Sequence, residues 1–185
     1  TPTPDAQVYR SPPSLTFTPD NWNVPRNVFV EAVDDFVVEA SPHPGLITHT
    51  ATSGDPNYAG ITIAGITANI TDNDVAGVIL SKASVAVTEG LLVGDTYTLV
   101  LKSQPTAKVT ISPHVLGGFV TKDVISVDFT AANWDHAQTV TVVAFDDTIA
   151  EGLHFDTITH PATSTDSLYN SISIPDITAN ITDND

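Results

Sequence analysis

The stretch ITANITDND at residues 66–74 recurs letter for letter at residues 177–185. The two copies lie 111 residues apart, and the likeness continues upstream, where Phe17-Thr18 matches Phe129-Thr130 at a spacing of 112. A period of this length is too long for a solenoid repeat but suits one small domain. The chain is therefore predicted to be part of a tandem array of domains.

The repeat also predicts the domain boundaries. Residues 75–185 form one full copy, and residues 1–74 correspond only to its later part, from about residue 113 onward. Residues 75–112 have no counterpart in the first copy, so residues 1–74 are predicted to be a partial domain that lacks its first two strands. We expect the chain to be a piece of a much longer protein. The alternative is that another polypeptide supplies the missing strands.

Composition narrows the possible partners. The net charge is −16, with 22 acidic and 6 basic residues, yet 41% of residues are hydrophobic, which is enough for a folded core. Nucleic acids and anionic membranes are recognised by clustered Lys and Arg, so neither is an expected partner. No apolar run is long enough to span a bilayer, and there is no Cys. A domain of this size folds without disulfides, so the composition fits a bacterial-type surface protein.

Alternating apolar and polar residues rich in Thr, Val and Ile indicate half-buried β-strands. In the full copy, seven segments show this pattern: Val85/Val87, Tyr97/Leu99/Leu101, Val109/Ile111, Val127/Phe129, Val140/Val142/Ala144, Phe155/Thr157/Thr159 and Ile177/Ala179/Ile181. The first copy retains five: the Val8 region, Leu15/Phe17, Val28/Val30/Ala32, Ile47/His49 and Ile66/Ala68/Ile70. The pattern predicts an all-β protein of tandem antiparallel seven-stranded sandwiches, with the first incomplete and weaker.

Acidic residues stand where strands end. The first, fifth and seventh strands of the predicted sandwich run in the same sense, so the residues after them should meet at one pole. We call this set the acidic pole: Glu89, Asp146, Asp147, Glu151, Asp183 and Asp185. The first copy keeps a partial equivalent without the Glu89 position: Asp34, Asp35, Glu39, Asp72 and Asp74. Six carboxylates repel one another strongly, and Ca²⁺ binds six to eight oxygens, so a calcium site is predicted. The alternative is that each Asp simply ends a strand in a solvated turn.

Other sequence features give weaker evidence about binding sites. An EF-hand loop is absent from the sequence, and zinc is not expected because there is no Cys and the histidines are scattered. His49 and His160 occupy matching strand positions and are predicted to be packed or partly exposed rather than ligands. Trp22 and Trp134 follow matching turns, where they are predicted to cover the sandwich edge; the alternative is stacking on sugar rings.

Three motifs resemble a known family. Thr88-Glu89-Gly90, Asp146-Asp147 followed by Glu151, and the terminal Thr-Asp-Asn-Asp resemble a Calx-β domain, and Asn-Trp after Phe-Thr is similar to its bacterial surface-protein members. The resemblance covers residues 75–185 and, as a partial copy, residues 1–74. It implies a seven-stranded sandwich that binds calcium through the residues of the acidic pole. Residues 118–121 lack a carboxylate found in many members, which implies fewer or weaker ions than in calcium-sensing domains.

The predicted function is structural. We expect a calcium-stabilised repeat module of a long extracellular or cell-surface protein, such as an adhesin stalk, matrix or filament component. Its expected partners are neighbouring repeats of the same protein, with self-assembly or surface glycans possible. One alternative is a carbohydrate-binding or surface-binding adhesive module, and a weaker one is a calcium sensor. An enzyme is not expected, because no nucleophile–base arrangement or phosphate-binding loop is recognisable.

Overall fold

The computed structural model describes the backbone of all 185 residues and every side chain except those of Pro2 and Pro4. Its regular secondary structure consists of sixteen β-strands, which confirms the predicted all-β class. Within the described residues, no helix is long and apolar enough to span a membrane. The chain divides into two compact units, the first made of Thr1–Asp35 and Glu39–Asn73, the second of Phe36–Val38 and Asp74–Asp185.

The first unit contains five strands: β1 (Pro2–Pro4), β2 (Val8–Ser11), β3 (Phe29–Ala32), β4 (His43–His49) and β5 (Ile66–Ile70). Strands β1, β4 and β5 form an antiparallel sheet in the order β1-β4-β5, and β2 pairs with β3 in a separate antiparallel ribbon. Among the described side chains, Val8, Ile47 and Ile70 form its buried hydrophobic cluster. This is a small core for about seventy residues.

The second unit contains eleven strands: β6 (Val78–Leu80), β7 (Ser84–Thr88), β8 (Asp95–Leu101), β9 (Val109–Ile111), β10 (His114–Val115), β11 (Val120–Lys122), β12 (Val127–Phe129), β13 (Gln138–Ala144), β14 (His154–Thr159), β15 (Ala162–Ser164) and β16 (Ile177–Thr182). They form three sheets, in the orders β10-β14-β16-β7, β11-β13-β8-β6 and β12-β9-β15. Each of the seven predicted segments is a strand. The seven-strand description is nevertheless too simple, because four short strands extend the sheets.

Alternation along the strands builds the core of the second unit. In β16 the side chains of Ile177, Ala179 and Ile181 are fully buried, while the residues between them are exposed. In strands β8 and β13 the buried residues alternate with half-buried ones. Nineteen buried hydrophobic side chains form one cluster, and each fully buried Val, Leu, Ile or Phe contributes about 1.5–3 kcal/mol. The second unit therefore has by far the larger hydrophobic core.

Equivalent residues of the two copies differ sharply in burial. Phe17 is 53% exposed, whereas its counterpart Phe129 is 0% exposed; Ile66 is 57% exposed, whereas its counterpart Ile177 is 0% exposed. In the second unit, β12 pairs with β9 and β16 pairs with β7. Strands β7 and β9 both belong to residues 75–112, which the first copy does not repeat.

One predicted strand of the first copy does not form in the structure. The segment Leu15/Phe17 was predicted to be a strand, but it is not one in the structure. Its counterpart β12 forms a ladder with β9, and the first copy has no equivalent of β9. A strand needs a neighbour for its main-chain hydrogen bonds, so without that neighbour the same alternating pattern does not produce a strand.

Candidate metal centre

The parallel pairing of β7 and β16 places two acidic residues side by side. The register runs from Ser84 opposite Thr178 to Thr88 opposite Thr182, so both strands end at the same height. Glu89 follows β7 and Asp183 follows β16. The N–H of Glu89 also donates to the carbonyl oxygen of Thr182 at 3.0 Å. Residues that are 94 positions apart in the chain therefore become neighbours.

Gly90 allows the chain to turn close to this pole. Its φ is +71°, a conformation that side-chain-bearing residues rarely adopt, and a Cβ there would lie 2.6 Å from Nδ2 of Asn184 and 3.3 Å from Oδ1 of Asp146. Nδ2 of Asn184 in turn donates to Oδ1 of Asp146 at 3.4 Å. The glycine thus makes room for Asp146 and Asn184 beside the Glu89 turn.

Asp183 ties the loop after β13 to the end of β16. Its Oδ2 accepts the main-chain N–H groups of Glu151 and Gly152, each at 2.6 Å, and its Oδ1 accepts that of Asp185 at 3.0 Å. The N–H groups of Asp185 and Gly152 are the main reason that the pKa of Asp183 lies below its ordinary value. Asp183 is therefore a stabilised anion that also positions Glu151.

The pKa of Glu89 is shifted in the opposite direction from that of Asp183. Glu89 is only 3% exposed, and Oε2 has no hydrogen-bond partner among the residues that the structure describes. Burial raises the pKa of Glu89, and the charges of Asp183, Asp147 and Glu151 raise it further, while nearby His154 opposes the shift. A buried carboxylate among other carboxylates is costly unless it is protonated or neutralised by a cation.

His154 belongs to the same cluster. Its Nδ1 donates to the carbonyl oxygen of Gly152 at 2.9 Å, and its Nε2 lies 3.5 Å from Oε1 of Glu89 and 3.4 Å from Oε2 of Glu151. The histidines are scattered along the sequence, but folding brings this one beside Glu89 and Glu151. The sequence repeat could have identified His154 as a candidate site residue, because it matches His43 at the spacing of 111 residues.

Two groups of three side chains each bring their ligand atoms close enough together to hold one metal ion. Ligand atoms of Glu89, Glu151 and His154 all lie within 4.8 Å of one another, as do those of Glu89, Asp183 and Asp185. The second group offers only oxygen, which suits Ca²⁺, whereas the first adds an imidazole nitrogen. Glu89 belongs to both groups and is the most buried member of each.

The remaining predicted ligands of the second copy lie at the margin. Asp147 is exposed and accepts the N–H of Ile149 at 2.8 Å, yet it is near enough to raise the pKa of Glu89. Asp146 is exposed and contacts Asn184 rather than one of the two compact groups. All six residues of the acidic pole thus lie around one end of the second unit, although the structure leaves their metal-binding role a prediction.

The first copy repeats part of this arrangement. Oδ2 of Asp72 accepts the N–H of Glu39 at 2.8 Å, as Asp183 does for Glu151, and Nε2 of His43 lies 3.2 Å from Oε2 of Glu39. Asp34 and Asp35 follow β3 and are exposed, and Asp74 is grouped with the second unit. Among the described residues, neither compact group includes a member from the first copy, and the metal-binding role of its five acidic residues stays a prediction.

His49 is partly exposed and His160 is buried, as predicted, and neither belongs to the two compact groups. His160 is 4% exposed and bonded to Tyr97, and Nδ1 of His49 lies 3.0 Å from the carbonyl oxygen of Ala64. Trp134 packs against the core of the second unit, whereas Trp22 is 71% exposed. The edge-covering prediction is therefore confirmed for Trp134 and wrong for Trp22.

Comparisons with known proteins do not assign a family. Neither a protein-family profile nor a curated protein sequence matches the chain. Solved structures that resemble it include the apo form of the Calx CBD1 domain, with 13% identity, a TM-score of 0.44, and coverage of 60% of this chain and 100% of that one. Another is WR4, an MSP family member from C. elegans, with 6% identity, a TM-score of 0.37, and coverage of 58% and 97%.

A third resembling structure is the D00-D0 domain of intimin, with 12% identity, a TM-score of 0.35, and coverage of 100% of this chain and 84% of that one. With identities of 13% or less and TM-scores below 0.5, these likenesses assign neither a function nor a ligand. The functional argument therefore rests on the geometry of the acidic pole.

Proposed function

We propose that this chain is a calcium-stabilised structural repeat module of a long extracellular surface protein, with no catalytic role. The observation that carries the proposal is the buried carboxylate of Glu89, whose Oε2 has no hydrogen-bond partner in the described part of the chain and which faces Asp183. Such a group destabilises the fold on its own and becomes stabilising when a cation binds it. This chemistry supports a folding-linked cation site.

The donor set favours calcium as the structural ion. Glu89, Asp183 and Asp185 supply carboxylate oxygens within one compact group, and Asp146, Asp147 and Glu151 lie around it. Calcium accepts six to eight oxygens in flexible arrangements, so an assembly built from three separate chain segments suits it. Bound calcium would neutralise the repulsion at Glu89 and join the ends of β7 and β16 to the loop after β13.

The expected mechanism is mechanical stabilisation. Calcium that binds only the folded state adds RT ln(1 + [Ca²⁺]/Kd), which is about 2.7 kcal/mol at a hundredfold excess. Extracellular modules bind calcium with dissociation constants of about 10⁻⁴–10⁻³ M, so the gain at millimolar calcium would be smaller. Neighbouring repeats of the same protein are the proposed partners, and the net charge of −16 argues against nucleic acid.

The test is the melting temperature of the full chain in chelator and across a calcium titration, for the wild type and Asp146→Ala/Asp147→Ala. We expect calcium to raise the melting temperature of the wild type by several degrees and the double variant to lose part of that rise, because Asp146 and Asp147 lie beside the compact oxygen group. The matched control is Asp34→Ala/Asp35→Ala, which removes the equivalent pair of the first copy. A melting temperature unchanged at millimolar calcium would show that the aspartates only end strands.

A second candidate function is glycan binding, which the exposure of Trp22 favours. An aromatic ring that is 71% exposed is available for stacking on a sugar face, whereas Trp134 is partly buried against the core. Quenching of tryptophan fluorescence by added glycans would support it if Trp22→Phe removes the effect and Trp134→Phe does not. Quenching that survives Trp22→Phe would exclude this residue as the site.

A further inference from the structure

A main-chain contact sets the orientation of His154. Its Nδ1 lies 2.9 Å from the carbonyl oxygen of Gly152, and because a carbonyl only accepts hydrogen bonds, Nδ1 carries the proton. With the proton on Nδ1, Nε2 is the nitrogen that can bind a metal, since a neutral ring presents its electron pair there. The ring of Phe119 packs edge-on against His154, with ring centres 5.1 Å apart, and supports this orientation.

Nε2 of His154 points at two carboxylates. It lies 3.5 Å from Oε1 of Glu89 and 3.4 Å from Oε2 of Glu151, and neither contact has hydrogen-bond geometry. Nε2 of His154 and Oε2 of Glu89 are both buried and have no hydrogen-bond partner within the described residues. In the neutral form of the ring, an electron pair that faces carboxylates in a buried place is unfavourable, and either a proton on Nε2 or a metal cation between the three groups relieves the repulsion.

The spacing matches that of ligands around a small ion. Two ligands bound about 2.1 Å from a tetrahedral Zn²⁺ lie about 3.4 Å apart, and the observed separations from His154 are 3.4 and 3.5 Å. The third separation, between Glu89 and Glu151, is within 4.8 Å. Calcium prefers oxygen, whereas a histidine nitrogen with carboxylates suits zinc and related first-row ions.

The first unit contains the same histidine arrangement with fewer ligands. Nδ1 of His43 lies 2.9 Å from the carbonyl oxygen of Ala40, and its Nε2 lies 3.2 Å from Oε2 of Glu39. Oε1 of Glu39 accepts a hydrogen bond from Gln7 at 2.9 Å, and the first copy has no counterpart of Glu89. His43 is thus a natural comparison, with one carboxylate where His154 has two.

We propose that Glu89, Glu151 and His154 form a binding site for Zn²⁺ or a similar first-row divalent ion. This deepens the proposed function and rests on it in one respect, since both treat the acidic pole as a cation site. Glu89 is shared with the oxygen ligands that would hold calcium. Binding of one ion therefore competes with binding of the other.

The test is a calorimetric titration of the metal-free full chain with Zn²⁺, together with the visible absorption of Co²⁺ as a spectroscopic substitute. The wild type is compared with His154→Gln and with the matched control His43→Gln. We expect one site whose zinc affinity falls at least tenfold in His154→Gln and is unchanged in His43→Gln. The Co²⁺ spectrum of the wild type should show tetrahedral coordination that His154→Gln abolishes. Millimolar calcium should weaken zinc binding to the wild type.

Zinc affinity that is unchanged in His154→Gln would overturn the proposal and point to exposed histidines such as His136. An equal loss in His43→Gln would also overturn it, because the effect would not be specific to the site at His154. The calcium melting experiment separates this result from failure of the proposed function. His154→Gln should keep the calcium response, because the oxygen group of Glu89, Asp183 and Asp185 is intact. A chain that binds zinc through His154 but does not respond to calcium would retain this inference and refute the calcium role. Melting in chelator verifies that each variant is folded.

Discussion

The hydroxyl of Tyr97 donates a hydrogen bond to Nε2 of His160 at 2.8 Å, and the two rings meet edge to face. Nδ1 of His160 donates to the carbonyl oxygen of Pro175 at 3.0 Å, so the neutral imidazole uses both nitrogens. Both side chains are buried. Burial lowers the pKa of His160 and raises the pKa of Tyr97. The second unit thus buries an uncharged histidine against Tyr97 of its hydrophobic core.

This histidine should make stability depend on pH. Because the pKa of His160 is lowered by folding, its contribution is fully present above its ordinary pKa of 6.5 and is lost as the pH falls through 6.5 towards the lowered value. We expect the free energy of unfolding, from denaturant titrations between about pH 7 and pH 5, to fall more steeply in the wild type than in His160→Gln. His49→Gln, the counterpart in the first copy, serves as the control. Parallel curves for the wild type and His160→Gln would contradict the prediction.

The two copies should respond differently to loss of the same aromatic ring. Phe129→Ala empties a fully buried position and should cost about 3–5 kcal/mol in the unfolding of the second unit. Phe17→Ala changes a side chain that is 53% exposed, so we expect a cost below about 1 kcal/mol. Denaturant titrations of both variants test this pair. Equal costs would mean that the first copy buries Phe17 in solution.

Limited proteolysis should attack the first unit before the second. The first unit exposes Phe17, Phe29 and Ile66 and has a hydrophobic core of three described side chains, against nineteen in the second. A weak core opens more often, and opened chain is what proteases cut. We expect early cleavage confined to residues 1–73 and a resistant fragment of residues 74–185, identified by mass spectrometry. Equal resistance of both units would refute this.

Asp156 should be essential to the stability of the second unit. It is 2% exposed, and its carboxylate accepts the main-chain N–H groups of Gly117 at 2.6 Å, Phe119 at 2.9 Å and Thr157 at 2.7 Å. Asp156→Ala leaves these donors without their acceptor, for which we expect a cost of about 2–4 kcal/mol by denaturant titration. The exposed Asp20→Ala is the control, with little expected change. A small effect of Asp156→Ala would mean that water replaces the carboxylate.

Glu89→Gln should reverse its effect when calcium is added. Since the pKa of Glu89 is raised, its ionised form destabilises the folded state above that pKa, and the penalty disappears as the pH falls through it to below the ordinary 4.5. In chelator at neutral pH, we therefore expect Glu89→Gln to melt at or above the wild-type temperature. In millimolar calcium it should melt below the wild type, because a ligand is lost.

The control for this reversal is Glu31→Gln, which removes one exposed acidic residue of β3 and so changes the net charge equally. It should shift the melting temperature by the same small amount with and without calcium. A Glu89→Gln variant that is destabilised in chelator would show that the ionised carboxylate stabilises the ion-free fold. The reversal would then be absent, and the argument for a cation at this position would fail.

Local pattern alone predicted much of the fold. Alternation of apolar and polar residues placed all seven main strands of the second unit, because a strand with one buried face has a period of two wherever it lies in the sheet. The repeat then indicated which acidic residues occur twice. Leu15/Phe17 was the failure, since a strand also needs a partner, and that partner lies in residues 75–112, which the first copy does not repeat.

Tertiary structure decided how the site is assembled. The sequence by itself determined the acidic set at the strand ends, but the parallel register of β7 and β16 set Glu89 beside Asp183 and buried it. The imidazole of His154 was directed at Glu89 and Glu151 by its contact with the carbonyl of Gly152. These features depend on distances between residues far apart in the chain, and such distances exist only once the sheets have formed.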